Sequence, residues 1–526
     1  MKIKNFKDKK VTIIGLGLHG GGVGIAKFFT RLGAKVLVTD LRSKEELKES
    51  LEQLEGRPIK YVLGQHRPED FINTDLVVKS PAVPDNSRYL EIARENKVPI
   101  ETDIGIFFEL CPAKIIGVTG SKGKSTVATL IAKFLERKYS EVILAGNIRT
   151  SVLGKLSKIN KDSLVVLELS SWQLAGLESH HKSPHGALIT NIMPDHLNRY
   201  QNMAEYIEDK KLIFRWQKSK PRKNSHDILG GKDFLVLNYD DKVVRSLAQE
   251  AKSKVFYYSQ GNGTMLNLEG ANWGAFVKGE KIFMASSAEP LMSSPVEPSF
   301  DQNKSEPARD LPKPSKEEIC PLEDIRLKGE HNISNVVAAI SVAKLYNVSN
   351  KSIRKILSKF KGLEGRFELI KIINGVKYIN DTAATIPEAS LAALASFFSK
   401  KNIILIAGGA DKNLDFNQLA EMILKKVKAL ILLEGTATLK LKKSVERQME
   451  LTGGQLKIIG PLNNMKEAVT EAKNEAEENG SSAELTRGIV LLSPACASFG
   501  LFRHEFERGK AFNKAVDSLK SLKGVP

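Results

Sequence analysis

A chain of 526 residues, 42% hydrophobic and 27% charged, has the composition of an ordinary globular protein and, at roughly 150 residues per domain, room for about three domains. Its 79 basic and 61 acidic residues leave a formal charge of +18, but the lysines fall in helical stretches such as LKLKKSVERQ without interleaved aromatics, which argues against a nucleic-acid surface and leaves small acidic substrates as the partners a positive field favours. No apolar run of about 18 residues marks a membrane span, and three widely spaced cysteines, Cys111, Cys320 and Cys496, argue against a disulfide framework and for a reducing cytoplasm.

The opening MKIKNFKDKKVTIIGLGL has a short apolar part cut by glycines, so it reads as a first strand rather than a signal peptide. VTIIG is followed by KVLVTD, LVVKS, KIIGVTG, LVVLELS, GALITNI and FLVLN, and late in the chain by KNIILIAGG, KALILLEG and GIVLLSPA. Such β-branched and leucine-rich runs, mostly separated by helical periodicity, belong in parallel sheets covered by helices. The expected fold is α/β in three domains: a Rossmann-like domain over 1–110, a central nucleotide-binding domain with a parallel sheet over 111–362, and a second Rossmann-like domain over 363–526. Cys111-Pro112 marks the first boundary and Gly362 to Gly365 the second. Residues about 285–318 are rich in Pro, Ser and charge, which predicts a disordered insertion.

Two glycine-rich turns stand out. GLGLHG, from Gly15 to Gly20, fits the spacing of a dinucleotide fingerprint after a strand, with Asp40 after the next strand, so a dinucleotide-dependent oxidoreductase is one reading of the first domain. GVTGSKGKST, from Gly117 to Thr126, sits between a strand and a helical stretch and reads as a phosphate-binding loop. Gly120 and Gly123 allow close backbone approach, Ser121, Lys122 and Thr126 complete the turn, Lys124 supplies positive charge and Ser125 a hydroxyl for magnesium. Further on, Glu168 ends the strand of LELSSWQL, where a carboxylate can hold magnesium. Asp195 and His196 follow another strand in NIMPDHLNRY. Lys210 and Lys211 lie on the helix NMAEYIEDKKLIFRWQ, where in isolation they read as a solvated face.

These segments, together with GEHNISNVVAA, GLEGRFELI, AGGADK and LLSPACASFGLFRHEFERG, resemble the Mur ligase family of ATP-dependent amide ligases, and LELSSWQL and SPACASF resemble its D-glutamate-adding branch. The resemblance implies a cytoplasmic enzyme, expected to be monomeric, that uses ATP and Mg2+ to join D-glutamate to UDP-N-acetylmuramoyl-L-alanine through an acyl phosphate. An amide ligase of the same family with another amino-acid specificity is the alternative, and a basic scaffold without activity a third. By resemblance, Lys124 contacts the phosphates, Ser125 and Glu168 hold one magnesium, and His196 with a carbamoylated lysine holds a second. That lysine aligns with Lys210, because an aromatic, Phe214, follows four residues later; Lys211 is the fallback. Asn332 and Asn335 are implied beside the adenine, and Arg366 and Asp381 at the phosphates and ribose. Gly17, Asp40 and Arg42 are implied at the uridine nucleotide, Asn147, Ser170 and Gln173 at the muramoyl-alanine end, and Lys412 and Ser498 at the D-glutamate carboxylates. One departure is that NDTAAT places Ala383 where the family commonly has a lysine.

Overall fold

The computed structural model describes residues 6–17, 20–80, 83–146, 151–193, 200, 202–219, 231–261, 273–285, 316–327, 329–397, 401–411, 414–477 and 488–519. They form two compact units, Met1–Lys359 and Phe360–Pro526.

The first unit contains two sheets. Strands β1 (Lys10–Ile14), β2 (Lys35–Asp40), β3 (Ile59–Leu63), β4 (Leu76–Lys79) and β5 (Ile100–Thr102) pair in parallel in the order 3-2-1-4-5. The order reverses between β1 and β4, and ligands of open α/β sheets bind at the carboxyl ends of strands at such a point. The central sheet has nine strands: β6 (Lys114–Thr119), β7 (Val142–Gly146), β8 (Leu164–Glu168), β9 (Gly186–Ile189), β10 (Phe234–Asn238), β11 (Lys254–Ser259), β12 (Trp273–Lys278), β13 (Lys281–Ala285) and β14 (Lys316–Pro321). From β7 to β12 the pairing is parallel, and β12, β13 and β14 close it as antiparallel neighbours. One apolar cluster runs through both sheets, joining Ile13, Phe29 and Val38 to Ile106, Leu153, Val165 and Ile189. The reason is close packing across the boundary near residue 110: a Cβ on Gly24, in the helix Gly21–Arg31, would fall 2.1 Å from the Ser151 Cβ.

Most of the segment expected to lack structure lies outside the described residues. Its ends do not. Ala285 and residues 316–318 belong to β13 and β14, and Ala285 faces Lys316 in the antiparallel register, so cross-strand hydrogen bonds order them despite their polar composition.

The second unit has one sheet, in the order β15-β16-β20-β17-β18-β19: β15 (Glu368–Ile373), β16 (Val376–Asn380), β17 (Ile403–Ala407), β18 (Val427–Leu433), β19 (Lys457–Leu462) and β20 (Gly488–Leu492). All pairs are parallel except β15 with β16. Alternate residues of its central strands enter different clusters, Leu405, Leu430 and Leu491 on one face and Ile404, Ile431 and Val490 on the other. Helices therefore cover both faces, and binding groups gather at the strand ends.

Candidate nucleotide and substrate sites

β6 delivers the chain to a loop whose backbone only glycine fits. Gly120 has φ 145° and Gly123 φ 85°. A Cβ on Gly120 would lie 1.9 Å from Thr190 Oγ1, and one on Gly123 2.2 Å from Asn335 Oδ1. The segment after β9 pins the loop. Ser121 N donates to Asn191 O and Lys122 N to Asn191 Oδ1, both at 2.8 Å, while Thr190 Oγ1 donates to the Lys122 carbonyl at 2.6 Å. The helix Lys124–Leu135 starts directly after Gly123, so its first N–H groups and positive dipole end face the loop.

Two lysines converge on one carbonyl there. Lys124 Nζ donates to Gly120 O and Ser121 O at 2.9 Å, and Lys210 Nζ donates to Gly120 O at 3.0 Å. Lys210 is 1% exposed, with its ammonium 4.4 Å from the centre of the Tyr206 ring; the Tyr206 hydroxyl in turn bonds to Ser121 Oγ at 3.1 Å. Lys211 points elsewhere, pairing with Glu208 and Glu250 at 2.7 Å. Burial works against its charge, but the hydrogen bonds it donates to Glu208 and Glu250, with their negative charges, together outweigh burial and raise its pKa.

Glu168, 1% exposed, ends β8 opposite Val118 of β6 and Gly146 of β7. Ser125, in the first helical turn, is buried at the same loop. A hydroxyl and a carboxylate are hard oxygen donors, the type magnesium takes, and a backbone cradle that a Cβ would fill suits a polyphosphate. His196 lies outside the described residues, and among those described no three His, Cys, Asp or Glu side chains gather as a metal cluster. Asn332 and Asn335, both buried on the helix Glu330–Leu345, bond to each other at 3.3 Å, and Asn335 abuts Gly123. Ser170 and Gln173 form the capping box of the helix Ser171–Ala175: Ser170 Oγ accepts from Gln173 N, and Gln173 Oε1 accepts from Ser170 N. Asn147 lies outside the described residues.

At the N-terminal sheet, Asp40 is buried and already engaged. Its Oδ2 accepts from Gly17 N at 3.1 Å, and its Oδ1 accepts from the Arg42 backbone N–H at 3.0 Å and from the Arg42 guanidinium at 3.4 Å. Arg42 is half-exposed.

In the second unit, Asp381 Oδ1 accepts from Phe367 N at 3.1 Å and its Oδ2 accepts from Ser493 Oγ at 2.9 Å, which draws the turn carrying the exposed Arg366 to the strand end. Ser498 is buried. Ala410 N donates to the Ala497 carbonyl at 2.9 Å, so the GGAD turn and the PACAS turn lie together; Lys412 itself lies outside the described residues. Sequence reasoning passed over Thr190, Asn191, Tyr206 and Arg508. Asn191 carried a readable signal, as a polar residue just beyond a buried strand end. A lone Tyr in a charged helix carried none.

Residues 9–102, 118–343 and 365–496 match, in turn, the families described as Mur ligase MurD-like N-terminal domain, Mur ligase middle domain and Mur ligase glutamate ligase domain. The chain is 40% identical over 510 residues to the UDP-N-acetylmuramoylalanine--D-glutamate ligase of Roseiflexus sp. strain RS-1, covering 97% of this chain and 98% of that one. It is 35% identical over 522 residues to the enzyme of the same name from Borreliella afzelii, covering 99% and 100%. In fold it is similar to the UDP-N-acetylmuramate-alanine ligase MurC of Thermotoga maritima, with a TM-score of 0.53, 17% identity and coverage of 97% and 99%.

Proposed function

The chain belongs to the Mur ligase family, and on that premise we propose that it is an ATP-dependent ligase that joins D-glutamate to UDP-N-acetylmuramoyl-L-alanine in cytoplasmic peptidoglycan precursor synthesis, acting as a monomer. The observation that carries the reading is the loop from Gly120 to Ser125, with Lys124 and Lys210 on one carbonyl and the Glu168 carboxylate at the same sheet edge.

A carboxylate is a poor electrophile. An oxygen of the L-alanine carboxylate attacks the γ-phosphorus of ATP, ADP leaves, and the amine of D-glutamate then attacks the acyl carbon; the tetrahedral species collapses with loss of phosphate and a proton. The protein supplies position and charge. Lys124 swings from the Gly120 and Ser121 carbonyls to the β- and γ-phosphates, and the N–H groups of the following helix turn hold their oxygens. Ser125 and Glu168 would hold magnesium, which would supply neutralisation of the phosphate charge. Lys210 is the residue we assign as carbamoylated: two ammonium groups on one buried carbonyl repel, whereas a carbamate anion there attracts both Lys124 and a cation. Asn332 and Asn335 brace the loop from the adenine side. Arg42 and Gly17 receive the uridine nucleotide, and Ser170, Gln173 and Asn147 the muramoyl-alanine end. Arg366 and Asp381 meet the nucleotide, and Lys412 and Ser498 the D-glutamate carboxylates.

The oxidoreductase reading of Gly15 to Gly20 fails on family.

Phosphate release, measured with ATP and UDP-N-acetylmuramoyl-L-alanine against a panel of amino acids, tests the proposal. Strong turnover is expected with D-glutamate alone. Preference for L-alanine or a diamino acid would overturn the specificity while leaving the ligase chemistry.

A further inference from the structure

The C-terminal unit buries an arginine to which the reaction chemistry gives no task. Arg508, on the helix Glu505–Asp517, is 1% exposed. Its guanidinium donates to three neutral oxygens: Nε to Thr382 Oγ1 at 3.2 Å, one terminal nitrogen to Cys496 O at 3.1 Å, and the other to Thr382 O at 3.0 Å. Burial lowers its pKa to about 10. A buried charge hydrogen-bonded to neutral oxygens is a poor device for stability even with the Glu505 charge acting in its favour, since an apolar side chain of similar volume commonly serves as well. The fork's contribution is geometric, because its planar donors fix the relative position of every acceptor they reach.

Those acceptors lie in two different loops. Thr382 sits in the turn after β16, between Asp381 and Ala383; Cys496 sits in the turn after β20, two residues before Ser498. β16 and β20 are neighbours, with Asn380 opposite Leu492, so the guanidinium bridges adjacent loops at the carboxyl edge of the sheet. The loop after β20 needs holding. Ala495 has φ 60°, a region that side chains avoid and that persists only where surroundings over-determine it. Ala495 N donates to Ala384 O, and the next carbonyl, that of Cys496, goes to Arg508. Thr382 is enclosed as well: a Cβ on either Gly365 or Gly509 would come within 2.6 Å of its methyl group.

We propose that Arg508 is a positioning residue for the reaction, locking the Asp381–Ala383 turn to the Cys496–Ser498 turn so that the nucleotide-facing and amino-acid-facing groups keep one spacing. The proposal rests on the D-glutamate ligase reading. Displacement of reacting groups by about 1 Å can cost about 100-fold in rate, so loss of the fork falls on the substrates these loops receive.

The test uses the full-length enzyme with Arg508→Lys, which keeps charge without the fork, and Thr382→Val, which removes the Nε acceptor at nearly constant volume. Arg508→Lys is expected to raise KM for D-glutamate and ATP about 10-fold or more, to leave KM for the UDP-linked substrate within about 2-fold, and to weaken calorimetric binding of a non-hydrolysable ATP analogue. The double variant should lose much less than the product of the single losses. Unchanged KM for D-glutamate in Arg508→Lys, or a parallel change for all three substrates, would overturn the proposal. Should Arg508→Lys not fold, the same KM pattern in Thr382→Val decides. Absence of D-glutamate turnover in the unmodified enzyme would instead sink the ligase reading; the analogue titration still tests Arg508, and equal affinity in both proteins would refute its role.

Discussion

The two glycine-rich turns of the N-terminal unit share a strand–loop–helix plan and differ in what fills the loop. After β1, the Gly17 amide is taken by the Asp40 carboxylate. After β6, the loop's carbonyls are taken by the ammonium groups of Lys124 and Lys210, while the amides at the helix start face outward. Cations on the carbonyls, able to turn outward, attract phosphate. A glycine-rich turn is thus proposed to contact a nucleotide in one place and to serve phosphoryl transfer in the other, and the neighbouring charged side chains differ.

The largest expected effect lies in the second loop. Lys210→Arg keeps the charge but can neither form a carbamate nor fit beside Tyr206, so turnover should fall by about 10³-fold or more, whereas Lys211→Arg, altering only the contacts to Glu208 and Glu250, should stay within about 2-fold. Equal activities in the two variants would erase the contrast between loop and surface. Paired glycine substitutions sharpen it further. Gly123→Ala combines a positive φ with an Asn335 oxygen 2.2 Å from the new Cβ, whereas Gly17→Ala has φ 66° and nothing within 4 Å. Thermal denaturation should show Gly17→Ala losing about 1 kcal/mol, the conformational penalty alone, and Gly123→Ala should lose ATP turnover besides.

A smaller effect belongs to the first loop. Arg42→Ala should raise KM for the UDP-linked substrate about 10-fold and change kcat little, because a contact far from the reacting carboxylate is equal in ground and transition states. A fall in kcat at constant KM would place Arg42 at the chemistry instead. The smallest effect concerns the seam joining the two sheets. His180 lies between Glu101, at 2.9 Å, and Glu109, at 3.2 Å, and these hydrogen bonds, Glu101 foremost, raise its pKa. A raised histidine contributes stability fully below its unfolded value near 6.5 and loses it as pH rises through the folded value. His180→Gln should therefore lower Tm by about 2–4 °C at pH 6, with the gap to the unmodified protein narrowing by pH 9. A gap that widens with pH would reverse the assignment.

Which strands the sequence revealed follows in part from their place in the sheets, although the interior strands β11, β12, β13 and β16 also went unread. The ten apolar runs correspond to β1, β2, β4, β6, β8, β9, β10, β17, β18 and β20, most of them buried along nearly their whole length. Each is interior to its sheet. All six edge strands, β3, β5, β7, β14, β15 and β19, went unread, because one side of an edge strand meets water and its residues need not be apolar; IKYVL and KEEICP carry charge where a central strand carries valine. Likewise, local order alone determined the phosphate loop, since Gly120, Gly123, Lys124 and Ser125 act within one turn of chain. Which of two adjacent lysines faces that loop is another matter. Successive helical residues point about 100° apart, and only the packing of the helix Met203–Lys211 against the loop after β6 turns Lys210 inward and leaves Lys211 to its acids. The engagement of Asp40 with Gly17 and the fork of Arg508 across Thr382 and Cys496 are of the same kind. Residues far apart in the chain meet there, and their spacing is set by the sheets that bring them together rather than by any local propensity.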